Sequence, residues 1–85
     1  MAEITIYTGR FCGFCVAAKR LLEQKGAAFE EIDVSSSFEA RAAMMERASG
    51  RRSVPQIFVG DTHVGGCDEL YALEQAGDLD QLLQS

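Results

Sequence analysis

Two cysteines three residues apart, Cys12 and Cys15 in "RFCGFCVAAKR", are the residues of this chain best suited to covalent chemistry. A thiolate is both a nucleophile and a metal ligand, and a second thiol within reach can close a disulfide. The spacing therefore admits a redox pair, half of a zinc site, or two small buried side chains. The run after Gly13 favours a helix, which puts Cys12 just before or at its first turn. Unpaired N–H groups and the helix dipole there favour a thiolate. Arg10, two residues earlier, can add positive charge. Cys15 comes one turn later on the same face, close enough to attack a mixed disulfide on Cys12. That order makes Cys12 the attacking sulfur and Cys15 the resolving one. Packing alone explains such a pair at a helix start poorly.

A zinc site would have to join Cys12, Cys15, His63 and Cys67 as a three-cysteine, one-histidine set. A helix, strand, helix and strand lie between the two halves, and there is no second CxxC, so zinc is set aside. Elsewhere "SVPQIF" carries the only proline, Pro55. Only about 5–6% of such bonds are cis, so proline alone reads as a trans loop terminator before a strand. "GGCDEL" (65–70) is a glycine turn opening a helix. Its N–H groups can hold a carboxylate, and Asp68 can complement the dipole or pair with an amine. A capped helix with no ligand fits that stretch equally well. Arg41, Arg47, Arg51 and Arg52 gather around the end of the second helix, and most such arginines are solvated. Arg51 and Arg52, just ahead of Pro55, are best placed to reach an anion. Phe11 and Phe14 flank the cysteines. One could form an exposed lip for substrate, and Phe11 fits a core role as well. His63 is expected at the surface without a catalytic role, and Tyr71 in packing.

These residues need elements to hold them. "EITIYT" (3–8) alternates and is β-branched, which suits a strand with Ile4 and Ile6 on one face. Helix formers dominate from about Gly13 to Lys25, with Gly26 where a C-terminal cap belongs. Ala18, Leu21 and Leu22 form its apolar stripe. "FEEIDV" (29–34) is a second strand. Serines 35–37 make a turn and an N-cap, and Phe38 to Ser49 a second helix turning Ala42, Met45 and Ala48 inward. "QIFVGDTHVGG" (56–66) reads as two strands around Gly60-Asp61, a type II′ hairpin signal. Helical periodicity returns from Cys67 with Leu70 and Leu73 inward. After Gly77, Leu79, Leu82 and Leu83 close the chain in a short last helix. The order β-α-β-α-β-β-α-α implies a parallel pair, an added hairpin, and a four-stranded mixed sheet flanked by helices.

Length and charge set the outer limits. Eighty-five residues suit one domain, spanning 1–85. A chain this short buries about 60% of its unfolded surface, so the core is small. Thirteen acidic against eight basic residues give a charge of −5, which argues against binding nucleic acid phosphates. No apolar run approaches the roughly 18 residues of a membrane span. "MAEITIYT" lacks the basic and apolar segments of a secretory signal. A soluble, cytoplasmic protein is expected. In a reducing cytosol a close cysteine pair is catalytic or metal-binding more often than structural.

Taken together, "ITIYT", "CGFC", "SVPQIFV" and "HVGGCDEL", in this order and at these separations, resemble the short bacterial dithiol glutaredoxins. The resemblance runs from about Ile4 to Leu83. It implies a thioredoxin-like fold and glutathione-dependent reduction of disulfides, above all protein–glutathione mixed disulfides. Cys12 matches the family nucleophile and Cys15 the resolving cysteine. Pro55 matches the family cis-proline, and Val54 would pair its backbone with the cysteine part of glutathione. Gly66, Cys67 and Asp68 match the turn that holds the γ-glutamyl end, Cys67 through its backbone rather than its thiol. Arg52 matches a position near the glycine carboxylate. Phe14 and Arg10 complete the implied glutathione site. Two features depart from the pattern. Gly13-Phe14 replaces the common Pro-Tyr, and Gly9 stands where many relatives carry lysine, with Arg10 as a neighbouring substitute. Relatives without that proline include some that hold a [2Fe-2S] cluster between two subunits, with glutathione as the other ligand. The implied partners are thus glutathione and glutathionylated or disulfide-bonded proteins. The implied state is a monomer, with Cys12 the one metal ligand if a cluster bridges two copies.

Overall fold

The computed structural model describes residues 2–84. Met1 and Ser85, the outermost residues of the expected domain, lie outside them. Four strands and four helices alternate as β1 (Ile4–Thr8), α1 (Gly13–Gln24), β2 (Glu30–Asp33), α2 (Phe38–Arg47), β3 (Gln56–Val59), β4 (Thr62–Gly65), α3 (Cys67–Ala76) and α4 (Leu79–Gln84). The sheet order is β2-β1-β3-β4. β1 runs parallel to β2 and antiparallel to β3, and β4 is antiparallel to β3 with a register shift at Ile57/Phe58. This is the mixed sheet flanked by helices that the element order implied. Of the two hairpin turn residues only Gly60 takes a positive φ, 58°, as a type II′ turn requires.

The two central strands are buried on both faces, so each side of the sheet has its own core. On one side Ile4, Ile6, Ile57 and Val59 meet Ala18, Leu21 and Leu22 of α1, Leu70 of α3, and Leu79 and Leu83 of α4. On the other, Tyr7, Val34 and Phe58 meet Met44 and Ala48 of α2. The expected stripes of α1, α3 and α4 therefore face inward, with Leu73 and Leu82 only partly buried. Helix α2 differs from expectation. Met44 is fully buried while Ala42 is exposed, and the helix stops at Arg47. Met44 and Ala48 lie four residues apart on one stripe, which excludes position 42. No helix among the described residues is long and apolar enough to cross a membrane.

Candidate active site

Cys12 caps helix α1. Its backbone is extended (φ −107°, ψ 99°) and its Sγ accepts the N–H of Cys15 at 3.1 Å. The first turn of α1 contains no acidic residue. Nothing there opposes the positive end of the helix dipole, so the position suits a thiolate. Cys15 is buried and Cys12 half-buried, and the two sulfurs are joined as a disulfide with Cα atoms 5.2 Å apart. Reduction and re-formation of this bond would move two electrons through one partly accessible sulfur.

Beside Cys12 lies a cleft of about 190 Å³, lined by Phe14, Arg51, Ser53, Val54, Pro55 and the turn Gly66 to Glu69. Cys12 Sγ stands 3.8 Å from the Val54 carbonyl oxygen. The Val54–Pro55 peptide is cis, where proline alone read as trans. Val54 precedes β3 and stands outside its ladder. At the far side, α3 starts with Gly66 as N-cap. Glu69 Oε1 accepts the Gly66 N–H at 2.6 Å and lies 3.4 Å from Arg51 Nη2. The Gly66 hydrogen bond, then Arg51, hold the Glu69 carboxyl below its ordinary range. The Cys67 side chain is buried. Burial first, then the charges of Asp68 and Glu69, push its thiol up, so this third cysteine is a poor nucleophile.

Of the residues singled out in the sequence, Phe14, Val54, Pro55, Gly66, Cys67 and Asp68 meet at this cleft. Arg10 and Arg52 are not among its lining residues. The Arg10 guanidinium donates to Ser36 Oγ at 2.9 Å rather than reaching toward Cys12. Arg52 is exposed, and its carbonyl accepts from Arg41 Nη1 at 3.0 Å. Arg51 is the arginine that lines the cleft. Phe11 is fully exposed, so its possible core role does not materialise. Tyr71 is at the exposed margin, donating to the Ala17 carbonyl at 3.3 Å.

The sequence reading missed a polar chain behind the cleft. Buried Gln56 donates to the Ser53 carbonyl at 2.9 Å and to its hydroxyl at 3.2 Å, and its Oε1 lies 2.7 Å from His63 Nε2. His63 is half-buried and stacked on Phe58 at 4.7 Å, rather than free at the surface. Burial, then Arg51, lowers its affinity for a proton. A glutamine at the head of the otherwise apolar strand "QIFV" was the available signal. Glu69, three residues after the N-cap Gly66, was another. A larger groove of about 690 Å³ between β4, α3 and α4 shares only Glu69 with the cleft.

A family model described as Glutaredoxin matches residues 4–64. The chain belongs to the glutaredoxin family. A probable glutaredoxin of Synechocystis is 54% identical over 84 residues, covering 99% of this chain and 96% of the relative. The solution structure of glutaredoxin from Brucella melitensis superposes with a TM-score of 0.85 at 58% identity, over 98% of this chain and 89% of that one. A crystal structure of a buckwheat glutaredoxin–glutathione complex superposes with a TM-score of 0.86 at 29% identity, over 98% and 77%. The fold is thioredoxin-like, as the resemblance implied. This glutaredoxin is a thiol–disulfide oxidoreductase.

Proposed function

We propose that this glutaredoxin uses glutathione to reduce protein–glutathione mixed disulfides and protein disulfides. The observation that carries this is the cleft itself. It begins 3.8 Å from the Cys12 sulfur at the Val54 carbonyl and runs to the first turn of α3. An extended tripeptide fits that layout. Its cysteine part pairs with the Val54 backbone beside cis Pro55 and lies against Phe14. Its γ-glutamyl carboxylate meets the Cys67 and Asp68 N–H groups at the helix N-terminus, since the Gly66 N–H is already given to Glu69. Its γ-glutamyl amine pairs with the Asp68 carboxylate. Its glycine carboxylate is drawn by Arg51 and Arg52, with Arg10 contributing charge only at longer range.

The chemistry follows from the sulfur placement. The Cys12 thiolate attacks the glutathione sulfur of a mixed disulfide. The protein thiolate leaves and is protonated, and Cys12 carries the glutathione. A second glutathione thiolate attacks that glutathionyl sulfur, releasing glutathione disulfide and the Cys12 thiolate. With a protein disulfide, Cys12 first forms a mixed disulfide with the protein. Cys15 then attacks the Cys12 sulfur and frees the protein dithiol. Two glutathiones later reduce the Cys12–Cys15 bond and leave as glutathione disulfide. The proposed setting is the cytoplasm, and the working unit a monomer. The test is turnover of a small glutathione mixed disulfide, coupled to glutathione reductase and NADPH. Cys15→Ser should remain active and Cys12→Ser should not. An inactive Cys15→Ser protein would sink the monothiol route.

A second reading, a [2Fe-2S] carrier, is motivated by Gly13 standing where the common family motif has proline. Among the described residues no three His, Cys, Asp or Glu side chains converge on a metal position. In this reading each chain offers Cys12, with glutathione and a second copy completing the set. Such a cluster supplies iron–thiolate ligation and visible colour when bound. A colourless product after anaerobic reconstitution with glutathione would end this reading.

A further inference from the structure

The loop ahead of Cys12 carries a side chain that the fold does not use. Phe11 has φ 52°, in the left-handed region where a bulky side chain crowds its own backbone and glycine or asparagine is the usual occupant. The residue is fully exposed, more so than any other large apolar residue among the described residues. No apolar burial offsets either the conformation or the hydration of the ring. Strain of this kind, next to a reacting atom, points to function. The loop is held in place all the same. Arg10 N–H donates to Ser35 Oγ at 2.7 Å and its guanidinium to Ser36 Oγ at 2.9 Å. Gly9 sits so close to its neighbours that a Cβ there would come 3.1 Å from Val54 Cγ2.

The direction of the cleft says what Phe11 can meet. A glutathione mixed disulfide has two halves. The glutathione half occupies the cleft, whose lining includes Phe14 and Val54 but not Phe11. The other half, the one that leaves, must lie outside the cleft against the exposed residues next to Cys12. Of the two residues that adjoin Cys12, Gly13 has no side chain and Phe11 is fully exposed. We propose that Phe11 selects the leaving half of the substrate. It favours a polypeptide with an aromatic or long aliphatic side chain beside its glutathionylated cysteine. This inference rests on the glutathione-dependent reading above. An aromatic pair of this kind contributes a factor of about two to ten.

Three substrates test it. One is the mixed disulfide of glutathione with β-mercaptoethanol, and the others are two glutathionylated peptides that differ only in Phe or Ser beside the cysteine. Wild type should prefer the Phe peptide. Phe11→Asn, whose side chain tolerates a φ of 52°, should lower kcat/KM for the Phe peptide about two- to tenfold and bring the two peptides level. Turnover of the small disulfide should stay unchanged, and Phe11→Tyr should keep the preference. No preference in wild type, or a preference that survives Phe11→Asn, overturns the inference. So does an equal loss on all three substrates in a folded Phe11→Asn protein, which would mean Phe11 acts on Cys12 itself. A wild type inactive on the small disulfide would instead overturn the glutathione-dependent reading, and this inference with it.

Discussion

Gly65→Ala is the substitution whose cost the structure defines most sharply. Gly65 has φ 116°, beyond the region open to residues with a side chain. A Cβ there would stand 2.5 Å from Glu69 Oε1 and 3.0 Å from its Cγ. The substitution therefore acts twice. It forces the backbone, at about 1–2 kcal/mol. It also drives away the carboxylate that accepts the Gly66 N–H at 2.6 Å. A hydrogen bond to a charged group contributes about 1.5–3 kcal/mol. The lower end applies here because the Glu69 side chain is 47% exposed. The total is about 2–4 kcal/mol, a fall in Tm of roughly 10–30 °C for a chain this small. Glu69→Ala alone should cost about 1–2 kcal/mol through the lost bond. In the Glu69→Ala background Gly65→Ala has only the backbone left to strain. The double variant should then be more stable than the sum of the singles by about 1–2 kcal/mol. Urea unfolding of the four proteins under reducing conditions measures all the terms. Additive costs, or a Gly65→Ala cost below about 0.5 kcal/mol, would show that turn and carboxylate are not coupled as described.

Met44 is fully buried, so Met44→Ala should cost about 2–5 kcal/mol. Ala42→Lys, on an exposed position, should stay within about 0.5 kcal/mol of wild type by the same unfolding assay. Gln56→Leu removes the donor to Ser53 and the partner of His63. It should lower stability by about 1–3 kcal/mol, and it should raise KM for glutathione more than it lowers kcat, because Ser53 lines the cleft. An unchanged KM would detach the polar chain from the site. The Glu31 carboxyl is held below its ordinary value first by the Thr8 hydroxyl and then by Lys19. Its contribution to stability is complete above the unfolded pKa of about 4.3 and is lost as pH falls through the lower folded value. Thr8→Val should raise the Glu31 pKa in an NMR titration, and its stability deficit should shrink below about pH 4. A deficit constant from neutral pH to acid would contradict this.

Much of this molecule is legible in its residues because local signals agree with the fold. Strand alternation in "EITIYT", the glycines at 26, 60 and 77, and the leucine stripes of α1 and α4 each specify an element without tertiary help. Helix α2 is less legible. It has alanines at 40, 42 and 43 beside two methionines, so the apolar stripe can be drawn in more than one phase, and only the contact with Phe58 and Tyr7 selects Met44. Arg51 and Arg52 are adjacent, and their divergence follows from the loop that turns at Ser49 (φ 57°) and Gly50 (φ 90°). That turn cannot be read from two like residues in a row. The His63–Gln56–Ser53 chain joins β4, β3 and the loop ahead of β3, and partners on three segments leave no local periodicity. Cys12 and Cys15 stand out by residue type and spacing, whereas Val54-Pro55 and Gly66 to Asp68 each admit a plain structural reading and were assigned to the site only through the resemblance to glutaredoxins. The structure brings these two stretches to one cleft beside Cys12.

The most direct test of the mechanism is where glutathione goes. Reduced Cys15→Ser protein should be exposed briefly to glutathione disulfide, quenched with acid, and mapped by peptide mass spectrometry. A single glutathione on Cys12, with Cys67 unmodified, is the expected result. The Cys12 sulfur caps the helix beside the cleft, and the Cys67 thiol is buried with its pKa pushed up. Glutathione on Cys67 instead, or on neither cysteine, would contradict the assignment of Cys12 as the nucleophile.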